Sequence, residues 1–243
     1  MNKEAERLDL VASRVNYSDG VNGAMISYCT RIFQRFYAGG RVLELGPAEG
    51  LSTQHLKEFC DDLEVCEGSA SHATSLRSRY PDLTIHCCLF EDFEPKKPFS
   101  YIYLSHVLEH VSDPIEVLQR ASRWLTSSGI IFASTPNARS FHRMAGVLAG
   151  DLSSPEDLNQ SDLLAGHRRV FDRQQLHSLF IEAGFRITAS GGFFLKSLSN
   201  TQLGNAVDVT HLEALMNLGE FFPENAGDIY LVASLAQQRL NSQ

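Results

Sequence analysis

No stretch of the 243 residues stays apolar for anything near the roughly 20 positions a helix needs to cross a bilayer, so no membrane span is expected. The start, Met1-Asn2-Lys3-Glu4-Ala5-Glu6-Arg7, has no apolar segment behind it; no secretory signal is expected, and the location expected is cytoplasmic. Cysteine is scarce and odd in number: five, at 29, 60, 66, 87 and 88, with no C-x-x-C and no cysteine–histidine spacing of a zinc site. That pattern excludes a disulfide framework and gives no metal ligand set. It predicts free thiols used as small core residues in a reducing compartment.

Positive charge is also in deficit. Lysine and arginine number 21 against 29 acids, a formal net charge of −8. Such a chain does not follow a phosphate backbone, so no nucleic-acid partner is expected. The one basic run, His167-Arg168-Arg169, suits at most one anionic group of a small substrate. The serine elbow G-x-S-x-G, the zinc motif H-E-x-x-H and the phosphate-binding P-loop are all missing. There is no internal repeat and no low-complexity linker. With 43% apolar and 21% charged residues, the composition is that of an ordinary globular domain.

What does recur is a strand followed by a helix. Strands are expected at 41–46, 63–67, 83–88, 100–105, 130–134, 185–189 and 228–235, with helices at about 52–59 and 70–79 between the first three. Asp113, Pro114 and Glu116 predict a capped helix start with a capping box. Ile115, Leu118, Ala121 and Leu125 form its apolar face, and Ser128-Gly129 its end. Asp172 and Gln175 predict a second capping box, ahead of the stripe Leu176, Leu179, Phe180 and Ala183 that Gly184 closes. This alternation implies an α/β fold, a mostly parallel sheet with helices on both faces and ligands bound beyond the carboxyl ends of the strands. Residues 1–40 are expected to form a helical cap ahead of a main domain, 41–243. Two segments, about 136–171 and 192–227, are too long for plain connections and are expected to cover the site.

The segment Val42-Leu43-Glu44-Leu45-Gly46-Pro47-Ala48-Glu49-Gly50 takes a strand through a glycine turn into a helix. Gly46 lets a ligand approach the backbone. Glu67, at the end of the second strand, stands where an acid accepts hydrogen bonds from the ribose of an adenosine. The glycines are spaced G-x-x-x-G rather than G-x-G-x-x-G, and Glu44 and Glu49 put negative charge where a pyrophosphate would lie. Both features argue against a dinucleotide and tolerate a sulfonium-bearing, zwitterionic cofactor.

These residues resemble the core of the class I S-adenosylmethionine-dependent methyltransferases. The likeness runs from about Arg41 to Ser134 and is closest to the branch with the ubiquinone-pathway O-methyltransferases and many small-molecule methylases. It rests on the glycine segment, on Glu67, and on Leu104-Ser105-His106-Val107-Leu108-Glu109-His110-Val111-Ser112-Asp113-Pro114. Thr135-Pro136-Asn137 and the run from Gly166-His167 to Val170-Phe171-Asp172 match as well.

The resemblance implies a Rossmann-like fold whose seven-stranded, mostly parallel sheet has its last strand antiparallel. It implies S-adenosylmethionine as cofactor and S-adenosylhomocysteine as product. By the same likeness, Glu44, Gly46 and Gly50 line the methionine part, Glu67 holds the ribose, Gly68 contacts the cofactor, and Leu89, Phe90 and Glu91 meet the adenine. Ser105 and His106 stand beside the methyl donor, and Tyr17 either closes the site or is simply a packed aromatic. Three positions depart from the family pattern: Ala48 replaces its middle glycine, Leu89 a frequent acid, and Ser100 a frequent aspartate.

Methyl transfer from a sulfonium is an in-line displacement that needs alignment, exclusion of water and, for a protonated acceptor, a base. His106 and His167 are the candidate catalytic residues. His106 could equally line the cofactor or pack, and Glu44 could instead pair with a neighbouring helix start. The expected reaction is methylation of an O or N atom of a small-molecule metabolite by a monomer or homodimer. The alternatives are a catalytically silent cofactor-binding member of the fold and a protein methyltransferase.

Overall fold

The computed structural model describes residues 3–14, 20–204 and 206–236. Two helices, α1 (Lys3–Ala12) and α2 (Gly20–Gln34), precede the first strand. Strands and helices then alternate: β1 (Val42–Leu45), α3 (Leu51–Leu56), β2 (Leu63–Glu67), α4 (Ala70–Arg79), β3 (Thr84–Cys87), β4 (Phe99–Ser105), α5 (Pro114–Trp124) and β5 (Leu125–Pro136). The first long segment folds as α6 (Phe141–Ala149) and α7 (Gln160–Ala165), followed by α8 (Arg173–Glu182) and β6 (Phe185–Phe193). The second folds as α9 (Asn200–Gly204) and α10 (Val209–Phe221), ahead of β7 (Asp228–Leu235).

The seven strands form one sheet in the order β3-β2-β1-β4-β5-β7-β6. Neighbours from β3 to β5 pair in parallel, and β7 runs antiparallel to both β5 and β6. Chain order reverses between β1 and β4, which opens a crevice at the carboxyl ends of those strands. Because β7 is inverted, it is its first residue, Asp228, that reaches this same edge, opposite Pro136 and Phe193.

Alternate side chains build a core on each face. Leu43, Leu45, Ile102, Leu104 and Ile131 pack with Leu118, Ala121 and Trp124 of α5 and Leu176 and Phe180 of α8. On the other face Tyr101, Tyr103, Phe132 and Val232 meet Ile32 and Phe33 of α2 and Met216 of α10. Phe33 is fully buried against the rings of Tyr101, Tyr103 and Phe132.

Two local expectations at α5 are corrected. Asp113 does cap the helix, accepting hydrogen bonds from the Ile115 and Glu116 backbone N–H groups. Glu116, however, turns forward to Arg120 instead of back to the cap. The helix also stops at Trp124 rather than at Ser128-Gly129. Trp124 anchors edge-on against Phe93, its ring centroid 5.0 Å away, and Leu125 already pairs with Phe99 in the sheet. The second capping box, Asp172 with Gln175, forms as expected.

The seat of α10 rests on one glycine. A Cβ on Gly219 would lie 2.2 Å from the Phe194 nitrogen and 2.3 Å from the Phe193 carbonyl carbon. These are backbone atoms that no rotamer change can move. Gly219→Ala is expected to cost about 3 kcal/mol, lowering Tm by roughly 6–12 °C for a domain of this size. Thermal unfolding checks it; an unchanged Tm would mean that α10 does not sit this close.

Candidate cofactor and acceptor site

A cavity opens over the carboxyl ends of β1, β2, β3 and β4. Its wall comprises Gly46 and Ala48 after β1, Glu67, Gly68 and Ser69 after β2, and Leu89, Phe90 and Glu91 after β3, with His106, Val107 and His110 after β4. Helix α1 closes one side with Glu4, Arg7, Leu8, Val11 and Ala12. Polar contacts pin α1 at both ends of the opening. Asp9 accepts hydrogen bonds from Ser69 Oγ at 2.6 Å and the Ser71 N–H at 3.2 Å, and Arg7 donates to the carbonyls of Gly166 and His110.

The turn after β1 is held in left-handed backbone at three places: Gly46, Ala48 and Gly50, with φ of 63°, 50° and 81°. Alanine pays roughly 1–2 kcal/mol for that conformation. Here it is fixed from outside, because the Ala48 N–H donates to Glu67 Oε2 at 3.1 Å while the Ser69 N–H donates to Oε1 at 2.7 Å. Glu67 thus joins the two glycine turns. Burial pushes its pKa up to about 7 against the pull of those N–H groups. Leu8 closes over Gly68, where a Cβ would come within 2.6 Å of its Cδ1.

Some expected residues lie elsewhere. Glu44 is buried behind the turn and accepts hydrogen bonds from Ser52 and from Thr53 at 2.6 Å, pairing with the first turn of α3. Desolvation raises its pKa to about 7. Gly50 packs on α4, where a Cβ would meet Leu76. Ser105 is bonded to Ser134 at 2.8 Å, beneath the cavity rather than on its wall. Tyr17 lies outside the described residues.

His106 bridges the two halves of the site. Its φ of 55° turns the imidazole out of the strand line, with Nδ1 3.3 Å from Glu109 Oε1 and Nε2 3.4 Å from Asp228 Oδ1. Burial works to lower its pKa, but Glu109 and Asp228 outweigh burial and the nearby Lys196, and the net shift is upward. Lys196, itself buried, crosses Gly227 (where a Cβ would stand 3.0 Å from its Cε) and hydrogen-bonds Asn200. A candidate cofactor half over β1, β2 and β3 therefore adjoins a charged candidate acceptor half over β4, β5 and β7.

His167 is off the cavity wall. It packs edge-on against His110, ring centroids 4.7 Å apart, with Nδ1 3.3 Å from Asp162. The basic run beside it is engaged internally, which corrects its expected use for a substrate anion. Arg168 bonds the His110 carbonyl and Glu4, and Arg169 bonds the carbonyls of Val111 and Ser112. These arginines staple the first long segment to the loop after β4. Asn137 ties the two long segments together, donating to the carbonyls of Glu224 and Ala226.

Glu109, Asp228 and Lys196 were not singled out from the sequence. Asp228 was legible in principle: an antiparallel last strand brings its first residue to the carboxyl edge. Lys196 lies in a long segment without a motif, and Glu109 is masked by its place in a motif that the family resemblance assigns to the cofactor.

Known proteins share this family and fold. A family model described as a methyltransferase domain matches residues 18–190. Two Mycobacterium tuberculosis proteins, each named a probable S-adenosylmethionine-dependent methyltransferase, are 25% identical over 198 residues, 79% of this chain and 67% of theirs. Among solved structures, the CcbJ methyltransferase of Streptomyces caelestis aligns with a TM-score of 0.66 at 13% identity, covering 96% of this chain and 99% of that one. A possible histamine N-methyltransferase of Thermotoga maritima aligns at 0.63 and 17% identity, covering 96% and 94%. The N-methyltransferase NodS of Bradyrhizobium japonicum, solved with S-adenosylhomocysteine, aligns at 0.61 and 13%, covering 97% and 98%.

Proposed function

We propose that this chain, which belongs to the methyltransferase-domain family and is an S-adenosylmethionine-dependent methyltransferase, methylates an oxygen or nitrogen atom of a small-molecule metabolite. The carrying observation is His106, exposed to the cofactor cavity on one side and facing buried Asp228 on the other. The cofactor, when bound, supplies a methyl group already activated on a sulfonium. Its fit rests on a wall with no side chain at Gly46 and Gly68, apolar at Leu8, Leu89 and Phe90, and acidic at Glu67. Glu67 accepts the ribose hydroxyls through lone pairs its two backbone donors leave over. Helix α1 excludes water; neither long segment contributes to the cavity wall, contrary to the expected cover. His106 orients the acceptor atom and serves as the base for its proton, with Asp228, 3.4 Å from Nε2, stabilising the charged imidazole that results.

The test is a panel of small amines, phenols and sugars at saturating S-adenosylmethionine, with S-adenosylhomocysteine formation as readout. Turnover on at least one acceptor is expected, with kcat falling at least a hundredfold in His106→Ala. Cofactor binding without turnover on any member, or turnover on protein substrates alone, would overturn the proposal.

A further inference from the structure

Glu109 is a buried carboxylate with no ordinary hydrogen-bond donor. Its side chain is wholly buried, and neither carboxylate oxygen has a hydrogen-bond partner. A carboxylate in that position carries a large desolvation cost that only a counter-charge or several donors offset. Among the described residues no backbone N–H and no hydroxyl donates to it; what faces Glu109 is imidazole. His106 Nδ1 stands 3.3 Å away, and His110 and His167 each place a ring nitrogen so that these two atoms and a Glu109 oxygen all lie within 4.8 Å of one another.

We infer that Glu109, His110 and His167 form a binding site for a divalent first-row transition-metal ion. The sequence shows no metal spacing because the ligands come from two segments, the loop after β4 and the turn that leaves α7. The Arg168 and Arg169 staples bring these together. Ligand atoms about 2.1 Å from one ion stand about 3.4 Å apart in a tetrahedron. Side-chain rotations over roughly an ångström therefore bring the three atoms to coordination distance.

Groups around the ligands stand where metal-binding imidazoles find their orienting partners. Asp162 lies 3.3 Å from Nδ1 of His167, and the Gly166 carbonyl takes a hydrogen bond from His110. An imidazole fixed through one ring nitrogen presents the other as a ligand. Two imidazoles and one carboxylate favour zinc, manganese, iron or cobalt over magnesium and calcium, which prefer all-oxygen sets.

Three protein ligands leave a coordination position open, and His110 lines the cavity, so that position adjoins the acceptor half. Orienting an acceptor hydroxyl there is the role that follows if the proposed function holds. The site itself rests only on the side chains.

The full-length chain, stripped by chelator and dialysed, is titrated calorimetrically with zinc, manganese and magnesium chlorides. Metal content after gel filtration gives the stoichiometry. One zinc or manganese per chain with micromolar or tighter Kd is expected, with magnesium at least a hundredfold weaker. Glu109→Gln and His167→Gln are each expected to weaken zinc binding at least tenfold, whereas His211→Ala, on an exposed surface histidine, leaves it unchanged. Zinc should raise the Tm of the wild type and of neither site variant, and that readout keeps one variant sufficient if the other does not fold. Cobalt loading should give visible absorption bands that Glu109→Gln alters. Absence of binding at 100 μM metal, or equal affinity in wild type and both variants, overturns the site. Because no acceptor enters these measurements, a failure of methyl transfer leaves the inference standing, and a missing metal leaves the proposed reaction standing.

Discussion

Alanine in place of Glu67 is expected to weaken S-adenosylmethionine binding at least a hundredfold. A hydrogen bond to a charged group contributes about 1.5–3 kcal/mol, and a carboxylate that receives both ribose hydroxyls makes two of them. The same side chain also holds the turn after β1, through the N–H of Ala48, in left-handed backbone that alanine does not prefer. On the proposed reading, removing the carboxylate deletes two ligand contacts and releases the wall beside them. Glu67→Gln keeps the length and one acceptor oxygen but loses the charge, and an intermediate loss of about tenfold follows. Calorimetric titration measures both, with far-UV circular dichroism as the check on folding. Alanine binding as tightly as the wild type would mean that the adenosine half is held elsewhere.

The cofactor half was far more legible in the sequence than the acceptor half, for a physical reason. Strand β2, helix α4 and strand β7 fall where expected because apolar alternation and the punctuation around them are local properties of the chain. Glu67, Gly46, Gly68 and the run from Leu89 to Glu91 come to one wall because each follows a parallel strand directly, so chain position alone fixes place. Glu44 and Gly50 belong to the same motif and yet serve it from behind, one pairing with α3 and the other clearing room for Leu76. A motif records that a residue is needed; it does not record which side of the backbone needs it.

The acceptor half depends on long-range placement. Asp228 reaches His106 from the far end of the chain, Lys196 from a segment without periodicity, and Arg168 turns toward Glu4 across 164 positions. Charge counting suggested a free basic run, but each of its two arginines finds carbonyls within reach once the segment folds back. The end of α5 shows the same limit on a smaller scale. Ser128-Gly129 is a plausible local stop, but the Trp124 side chain and the pairing of Leu125 with Phe99 end the helix earlier.

Between pH 4.5 and 8, Glu44→Gln is expected to gain stability relative to the wild type by about 3 kcal/mol. Burial raises the Glu44 pKa from 4.5 to about 7, against hydrogen bonds from Ser52 and Thr53. In that interval the folded state keeps a proton that the unfolded chain has released. Stability therefore falls as pH rises from the unfolded value through the folded one, and the loss is complete above about 7. At 1.36 kcal/mol per pKa unit, the full shift sets the size of about 3 kcal/mol.

The wild-type curve alone would hide this. Burial holds His110 and His142 down to about 4 and about 3, so their contributions rise with pH over part of the same range. Subtracting wild type from Glu44→Gln removes those terms, since neither histidine touches Glu44. Glu67→Gln should show the same slope, because its acid is raised to about 7 by the same cause. Urea unfolding at pH 5, 6, 7 and 8 reads the difference. A flat difference would show that Glu44 ionises as an ordinary carboxyl, its charge fully met by the two hydroxyls of α3.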